Sequence, residues 1–280
     1  MRRITALGIA SLALAVWLAA PPLRAQHPPA SGLHRPFDEI LDLNVRDGDV
    51  YYHALKQSRG ALDRYVGSLD VAASVYEGWS RDERLAFWLN AYNAFVLQTI
   101  VDRYPIRGRA PEYPPASIRQ IAGAFEKVPH RAAGRSVTLD HIEKAILPEF
   151  RDPRVYLALG RGARGSGRLR SEAYAAGRLE LQLTDMTREF LTTLDHVAVD
   201  RVTGELRLSP IIGWHEAEFA GAYASAAGET FAQRSPIERA AVALVLPHLY
   251  PLEQQFIERN AFVVRYVDFD WTLNDLTGGR

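Results

Sequence analysis

The feature that most constrains the fold is a long helical stretch with apolar side chains on nearly every face. Ser80 is a good N-cap, and Asp82 and Glu83 lie in the first turn, so the sequence predicts a helix that begins here and ends before Pro105. Between residues 85 and 97 the apolar side chains occur nearly all round this helix, whereas a surface helix keeps one polar face. Other elements have to cover such a helix, so we expect it at the centre of a large core.

Elsewhere the chain carries many helix signals and few strand signals. Helices are expected after the N-caps Thr138, Ser171 and Ser235 and from Pro251, and strands at residues 154–159, in a hairpin over 196–209 and at 261–269. The helices dominate, and they do not alternate regularly with strands. The sequence therefore predicts the α+β class: a predominantly helical single domain over residues 37–280, with a small, mostly antiparallel sheet.

Composition excludes several classes of function. The chain has 280 residues, a formal net charge of zero and no cysteine. Zero net charge gives no overall attraction for nucleic acid, and the absence of cysteine excludes thiol nucleophiles, thiolate metal sites and disulfides. The segment at residues 214–219, WHEAEF, has Phe219 where a zinc protease motif needs its second histidine. No metal and no cofactor are predicted, and His215 and Glu216 are expected at the start of a helix.

The N-terminal residues have the pattern of a secretory signal peptide. Arg2 and Arg3 precede an apolar run over residues 4–20, and Ala25 is a suitable cleavage point. The alternative is an uncleaved anchor helix, but this run is short for a membrane span. We expect residues 1–25 to be removed, residues 26–36 to form a flexible lead, and the mature chain to be periplasmic or secreted without a stable membrane span.

A glycine-rich loop over residues 160–170 contains the spacing G-x-G-x-x-G. A dinucleotide site is not expected, because the loop lies in mid-chain and the hairpin that follows is antiparallel, and no G-K-[ST] follows for a phosphate-binding loop. Two interpretations remain open. One is a solvated loop without a ligand. The other is an anion site that uses turned N–H groups, the helix N-terminus near Ser171 and four side chains: Arg161, Arg164, Ser166 and Arg168.

Three further polar residues are candidates for a site: Asn90, Asn93 and Glu143. Asn90 and Asn93 fall within the central helix, where buried amides need partners, so they either clamp a neighbouring segment or contact a ligand. Glu143 either forms a solvated pair with Lys144 or turns inward toward the arginines of the loop. Asp270, Trp271 and Asn274 are expected to seal the end of the last strand, and the alternative for them is a binding role.

Several segments resemble the domain-of-unknown-function 547 family, in the order in which that family has them. They are residues 47–55, 86–106, 137–147, 152–183, 208–219 and 264–275, and the block W-x-N-A-Y-N-A at 88–94 is the most specific. The resemblance implies a type of domain, without an established reaction.

The departures from the family pattern concern its most reactive residues. The family usually has histidine, asparagine and two cysteines where this chain has Tyr156, Gly160, Arg161 and Ser166, and histidine in place of Lys144. The resemblance therefore implies that thiol chemistry at this place is lost here, since a reactive cysteine needs a thiolate and a nearby base or cation.

Two functions from different classes follow, and the sequence leaves open whether the chain is an enzyme. The first is a non-catalytic binding or interaction protein for an anionic small molecule or an envelope component, through residues 160–170. The alternative is an envelope hydrolase or transferase with a rearranged site around Glu143, Ser166 and Arg161. The enzyme needs Glu143, Asn90 and residues 160–168 to converge in one cleft. No nucleic-acid partner and no particular oligomeric state are predicted.

Overall fold

The computed structural model describes residues 30–278. The predicted signal peptide and residues 26–29 lie outside the described residues. Residues 30–36, predicted as part of a flexible lead, are helical instead: one short helix ends at Leu33 and a second begins at Arg35, with Pro36 in its first turn. Phe37 and the buried His34 pack these helices onto the core, which is the physical reason for the difference.

The α-helices are α1 Ala30–Leu33, α2 Arg35–Asn44, α3 Tyr52–Gln57, α4 Gly60–Ser68, α5 Ala73–Glu77, α6 Arg81–Arg103, α7 Leu139–His141, α8 Arg154–Leu157, α9 Leu179–Thr192, α10 Pro210–Trp214, α11 Glu216–Tyr223, α12 Pro236–Val245 and α13 Pro251–Glu258. A π-helical segment, Ile142–Ile146, continues α7. The strands are β1 Val45–Arg46, β2 Asp49–Val50, β3 His130–Ala132, β4 Arg135–Val137, β5 Val197–Asp200, β6 Glu205–Leu208 and β7 Val263–Tyr266.

The predicted central helix is confirmed as α6. Ser80 accepts a hydrogen bond from the backbone N–H of Glu83, and the Glu83 side chain accepts from the N–H of Ser80, which completes a capping box. Every residue from Leu85 to Leu97 is buried, so the helix has no solvent face over this stretch. The helix thus forms the axis of the core, and the side chains that matter below project from it.

The strands form three small sheets, which confirms the predicted α+β class. β1 pairs with β2 and β3 with β4 as antiparallel hairpins, and β5 pairs antiparallel with β6 in the predicted hairpin. β7 adds to β6 in the parallel direction, with Glu205 opposite Val263. Among residues 30–278, no helix has both the length and the apolar character that crossing a membrane requires.

The C-terminal segment, residues 272–276, holds distant parts of the chain together. The N–H of Val50 donates to the carbonyl of Asn274 at 2.8 Å, and the N–H of Leu276 donates to the carbonyl of Val50 at 3.0 Å. The Tyr104 hydroxyl donates to Asp275 at 2.7 Å. Residues from the beginning, middle and end of the domain therefore meet at this segment.

Two predictions about the middle of the chain are wrong. Residues 154–157 form helix α8 rather than a strand, because Asp152 accepts from the N–H of Arg154 and starts a turn there. A short apolar run that is buried on all sides looks the same in either conformation. Ser171 does not begin a helix, since α9 starts at Leu179.

Burial of two histidines predicts that the fold is labile to mild acid. Desolvation lowers the pKa of both His34 and His130 to about 4, whereas a histidine in the unfolded chain has a pKa of about 6.5. Between these values the unfolded state binds more protons, so stability decreases as the pH falls from 6.5 toward 4. We expect a loss of about 2 kcal/mol per histidine at pH 5, measured by urea unfolding at pH 7.5 and 5.0.

The double variant His34→Gln/His130→Gln should lose the share of this pH dependence that these two histidines supply, and the exposed His53→Gln should keep it. Burial also lowers the pKa values of His196 and His248, which act in the same direction in all these variants. The lowered pKa of Glu143 has little effect on this comparison, because protonation of that carboxyl reduces stability only below about pH 4.5. Equal stability of the wild-type protein at the two pH values would contradict the prediction.

Candidate functional site: a buried Arg–Glu–His cluster beneath an aromatic cleft

Four side chains from four separate elements meet beside the central helix. Tyr92 comes from α6, Glu143 from the π-helical segment, Arg161 from the glycine loop, and His215 from the junction of α10 and α11. Each of these side chains is buried. We call these four residues the Arg–Glu–His cluster.

The carboxylate of Glu143 is the centre of this cluster. Its Oε1 accepts from Arg161 Nη2 at 2.6 Å and from His215 Nε2 at 3.0 Å, and its Oε2 accepts from the Tyr92 hydroxyl at 3.0 Å. Burial by itself would raise the pKa of the Glu143 carboxyl, but the charge of Arg161 and the hydrogen bond from His215 hold that pKa well below its usual value. Glu143 is therefore ionised at neutral pH.

The guanidinium of Arg161 is enclosed by the protein, with an exposed fraction of only 2%. Its Nη1 donates to the carbonyls of Tyr156 at 3.2 Å and Leu159 at 3.3 Å, and its Nη2 donates to Glu143. Burial opposes its charge, yet the charge of Glu143 more than compensates and raises the pKa of Arg161. Arg161 and Glu143 thus form a buried ion pair in which each charge depends on the other.

The local backbone explains why Glu143 faces the interior. Thr138 caps α7 as predicted, since its hydroxyl accepts from the N–H of His141 at 3.1 Å. The helix then widens into the π-helical segment, and such widened turns are frequent at functional sites. Of the two predicted orientations of Glu143, the inward one is confirmed; Lys144 instead pairs with Asp140 at 2.6 Å.

His215 is held by an aromatic neighbour as well as by Glu143. The ring of Tyr156 stacks on the imidazole with 3.5 Å between the centroids and 5° between the planes. Burial, followed by the charges of Glu218 and Glu143, raises the pKa of the Tyr156 hydroxyl. Both rings are consequently fixed in position beneath the surface.

A surface cleft of about 360 Å³, here cleft A, opens above the Arg–Glu–His cluster. Its aromatic lining consists of Phe125, Trp214 and Trp271. Its charged lining consists of Arg119, Asp140, Glu143, Lys144, Arg161 and Glu218. Trp214 is the most accessible of the aromatic side chains, with an exposed fraction of 46%.

Each cation in cleft A has its own carboxylate. Arg119 pairs with Glu126 at 2.6 Å, while Lys144 and Arg161 pair with Asp140 and Glu143 as described above. The Arg119 guanidinium also lies over the rings of Phe125 at 4.4 Å and Trp271 at 4.5 Å. The cleft therefore combines aromatic faces with cations that are already neutralised.

The glycine loop uses its own N–H groups within the protein. The N–H of Gly160 donates to Asn93 at 2.8 Å and that of Arg161 donates to the Ser166 hydroxyl at 3.0 Å. The N–H groups of Arg164 and Gly165 donate to carbonyls of the C-terminal part of the chain. Anion binding by this loop stays a prediction. The four N–H groups are already bonded within the protein and no helix begins at Ser171, so neither feature supports it.

The remaining predicted residues of the loop face a different cavity. Arg164, Ser166 and Arg168 line cavity B, which measures about 750 Å³ and does not include Glu143. Arg164 pairs with Asp49 at 3.1 Å, and Arg168 pairs with Asp47 at 2.9 Å and with Glu189 at 2.5 Å. The arginines of the loop are thus ion-paired, and only Arg161 belongs to cleft A.

The two asparagines of α6 hold backbone segments in place. Asn90 donates to the carbonyl of Tyr174 and accepts from its N–H, both at 2.8 Å. Asn93 donates to the carbonyl of Ala158 at 3.3 Å and accepts from the N–H of Gly160. Their amides are occupied in the manner of the predicted clamp, and Asn90, Glu143 and the loop do not converge in one cleft.

Sequence reasoning did not find His215, Tyr92 and Trp214 as members of a site. His215 was expected only at the start of a helix, which is correct, since α11 begins at the next residue. One signal in the sequence could have suggested a functional role. His215 follows Trp214 in segment 208–219, which resembles the family, and has no second histidine at metal-binding spacing. Within residues 30–278, no three histidine or carboxylate side chains are grouped in a way that could hold a metal ion.

The described residues form an α+β domain in which the buried helix α6 supplies one member of a cluster around the Glu143 carboxylate. The family described as "Protein of unknown function, DUF547" matches residues 76–191. This part of the chain, which contains Tyr92, Glu143 and Arg161, belongs to that family, as its motifs predicted. No curated protein and no solved structure matches the chain.

The buried ion pair predicts an asymmetric response to mutation. Glu143→Gln should destabilise the protein by about 3 kcal/mol, because it leaves the Arg161 charge buried without a counterion. The double variant Glu143→Leu/Arg161→Met should recover much of that loss, since it removes both charges. Urea unfolding at pH 7.5 measures both values. The control is Lys144→Gln, because Lys144 is the next residue and is exposed; its free energy of unfolding should change by less than about 0.5 kcal/mol. An equally small change in Glu143→Gln would be inconsistent with the role given to the ion pair.

Close backbone contact in the loop predicts a second effect on stability. A Cβ atom at Gly167 would lie 1.7 Å from the carbonyl oxygen of Leu157, so the backbone would have to move. Gly167→Ala should destabilise the protein by about 2 kcal/mol. Gly177→Ala has no heavy atom within 4 Å of the new methyl group and should change stability by less than about 0.5 kcal/mol. The same urea measurement compares the two, and similar values would show that the loop is less tightly packed than described.

Proposed function

We propose that this chain is an exported, non-catalytic binding protein whose ligand enters cleft A. Export is supported by the signal-peptide pattern of residues 1–25. Binding is supported by the form of cleft A, a cavity of about 360 Å³ with aromatic walls and a few fixed polar groups, because ligand sites in proteins commonly have this composition and size.

The observation that carries the proposal is that the two charged groups of the Arg–Glu–His cluster, Glu143 and Arg161, are already engaged within the protein. Both oxygens of Glu143 accept hydrogen bonds, and its low pKa keeps it from accepting a proton at neutral pH. Arg161 is a cation without nucleophilic character, at the position where the family resemblance implies a cysteine. Covalent catalysis needs a nucleophile beside its base, and the hydroxyl of the cluster, that of Tyr92, already donates to Glu143. The cluster therefore supplies a rigid floor for a ligand instead.

The alternative function, an envelope hydrolase or transferase around Glu143, Ser166 and Arg161, has less support. The Ser166 hydroxyl accepts from the N–H of Arg161 and lies at cavity B, whereas Glu143 lies at cleft A. His196 also lines cavity B, but its ring interacts with the backbone of Ser166 rather than with the hydroxyl. Among residues 30–278, no base is therefore hydrogen-bonded to the Ser166 hydroxyl.

The test compares binding with turnover on the same set of compounds. The full chain is titrated with representative sugars, amino acids, short peptides and phosphate esters, and tryptophan fluorescence reports binding. At least one class should bind, and Trp214→Ala should weaken that binding about tenfold, as expected for a central aromatic contact. Tyr250→Ala, which removes an exposed aromatic ring that does not line cleft A, should bind like the wild-type protein.

The same mixtures are then incubated and analysed by mass spectrometry for reaction products. No product should form. A product whose formation is lost in Ser166→Ala or Glu143→Gln would overturn the non-catalytic role. Binding that is unchanged in both Trp214→Ala and Trp271→Ala, or no binding by any class, would overturn the assignment of cleft A.

A further inference from the structure

We infer that the ligand of cleft A is a neutral saccharide of one or two rings. This inference rests on the binding role proposed above and specifies the class of ligand. It is drawn from the balance of charge in the cleft, from the arrangement of the aromatic rings and from the polar groups at the rim.

The balance of charge disfavours an ionic ligand. Three cations and three carboxylates line the cleft, and the three cations each have a carboxylate at 2.6 Å. An anion would find each cation already paired and would also meet Glu218, which has no cationic partner among residues 30–278. A neutral molecule enters without breaking any of these pairs.

The aromatic faces are also partly occupied by cations that belong to the protein. The Arg119 guanidinium lies 4.5 Å from the ring centroid of Trp271, and the Arg161 guanidinium lies 5.8 Å from that of Trp214. Because these two guanidiniums already lie beside the rings, an ammonium ligand would have to share the electron-rich faces with them. The cleft is therefore poorly suited to an amine as well as to an anion.

The rings themselves suit the apolar face of a sugar. Trp214 and Trp271 have nearly parallel planes, with 18° between them and 6.3 Å between centroids, and Phe269 packs against both. One face of a pyranose ring presents C–H bonds whose partial positive charge complements the negative face of an indole. Trp214 lines the cleft and has an exposed fraction of 46%, so part of its indole is accessible to a ligand.

The polar groups at the rim can serve the hydroxyl groups of the sugar. Glu218 supplies acceptor oxygens, and the exposed ammonium of Lys144 has donors beyond the one that it gives to Asp140. Each hydroxyl of a saccharide both donates and accepts, so it can use the two kinds of group together. An aromatic platform with donors and acceptors at its edge matches a polyhydroxylated ring.

The experiment is calorimetric titration of the full chain with cellobiose, maltose and diacetylchitobiose, alongside glucuronate, glucosamine and inorganic sulfate. At least one neutral disaccharide should bind with a Kd of about 1 mM or tighter. Its affinity should change less than about twofold between 50 and 500 mM salt, because no net charge is exchanged. Trp214→Ala should weaken it about tenfold, Trp214→Phe less, and Tyr250→Ala not at all.

The outcomes separate this inference from the broader proposal. If the neutral sugars fail to bind, or if glucuronate, glucosamine or sulfate binds more tightly in a salt-dependent manner, the saccharide assignment is overturned. In that case, another ligand that depends on Trp214 would leave the binding role in place. Sugar binding that survives both Trp214→Ala and Trp271→Ala would overturn the assignment to cleft A.

Discussion

The ion pair between Arg161 and Glu143 is the interaction on which the architecture of the site depends. A buried carboxylate or a buried guanidinium would each be costly alone, and at 2.6 Å each makes the other tolerable. Because the two residues come from the π-helical segment and the glycine loop, their pairing fixes these two segments relative to each other. His215 and Tyr92 then join the same carboxylate and bring in α6 and the junction before α11. A single carboxylate thus organises four parts of the chain and forms the floor of cleft A.

The sequence was sufficient to predict the elements that are determined by neighbouring residues. The predicted N-caps Ser80 and Ser235 are formed, and each is completed as a capping box, because such a box needs only residues three apart. The strand predicted at residues 154–159 failed for the opposite reason. Its apolar residues are buried on every side, so their pattern has no period, and the turn in which Asp152 accepts from the N–H of Arg154 decides the conformation.

The candidate site could be predicted only in part. Glu143 and Arg161 were both singled out, and an inward carboxylate was one of two open alternatives. His215 was not connected with them, because it is 72 residues from Glu143 and no spacing rule joins the two. The free N–H groups expected in the glycine loop are instead bonded to Asn93, Ser166 and the C-terminal part of the chain. Glycine makes a turn possible, but the tertiary partners decide whether the N–H groups point to a ligand or to the protein.

The position of residues 272–276 has a consequence for how the protein is made. The N–H of Arg164 donates to the carbonyl of Thr272, and Val50 exchanges hydrogen bonds with Asn274 and Leu276. A chain emerges from the ribosome beginning at its N-terminus, so residues 160–168 are made before residues 272–276. The loop that carries Arg161 therefore gains its hydrogen bond to Thr272 only after that later segment has been made. Closure of the loop onto the rest of the domain has to wait for residues that lie far later in the chain.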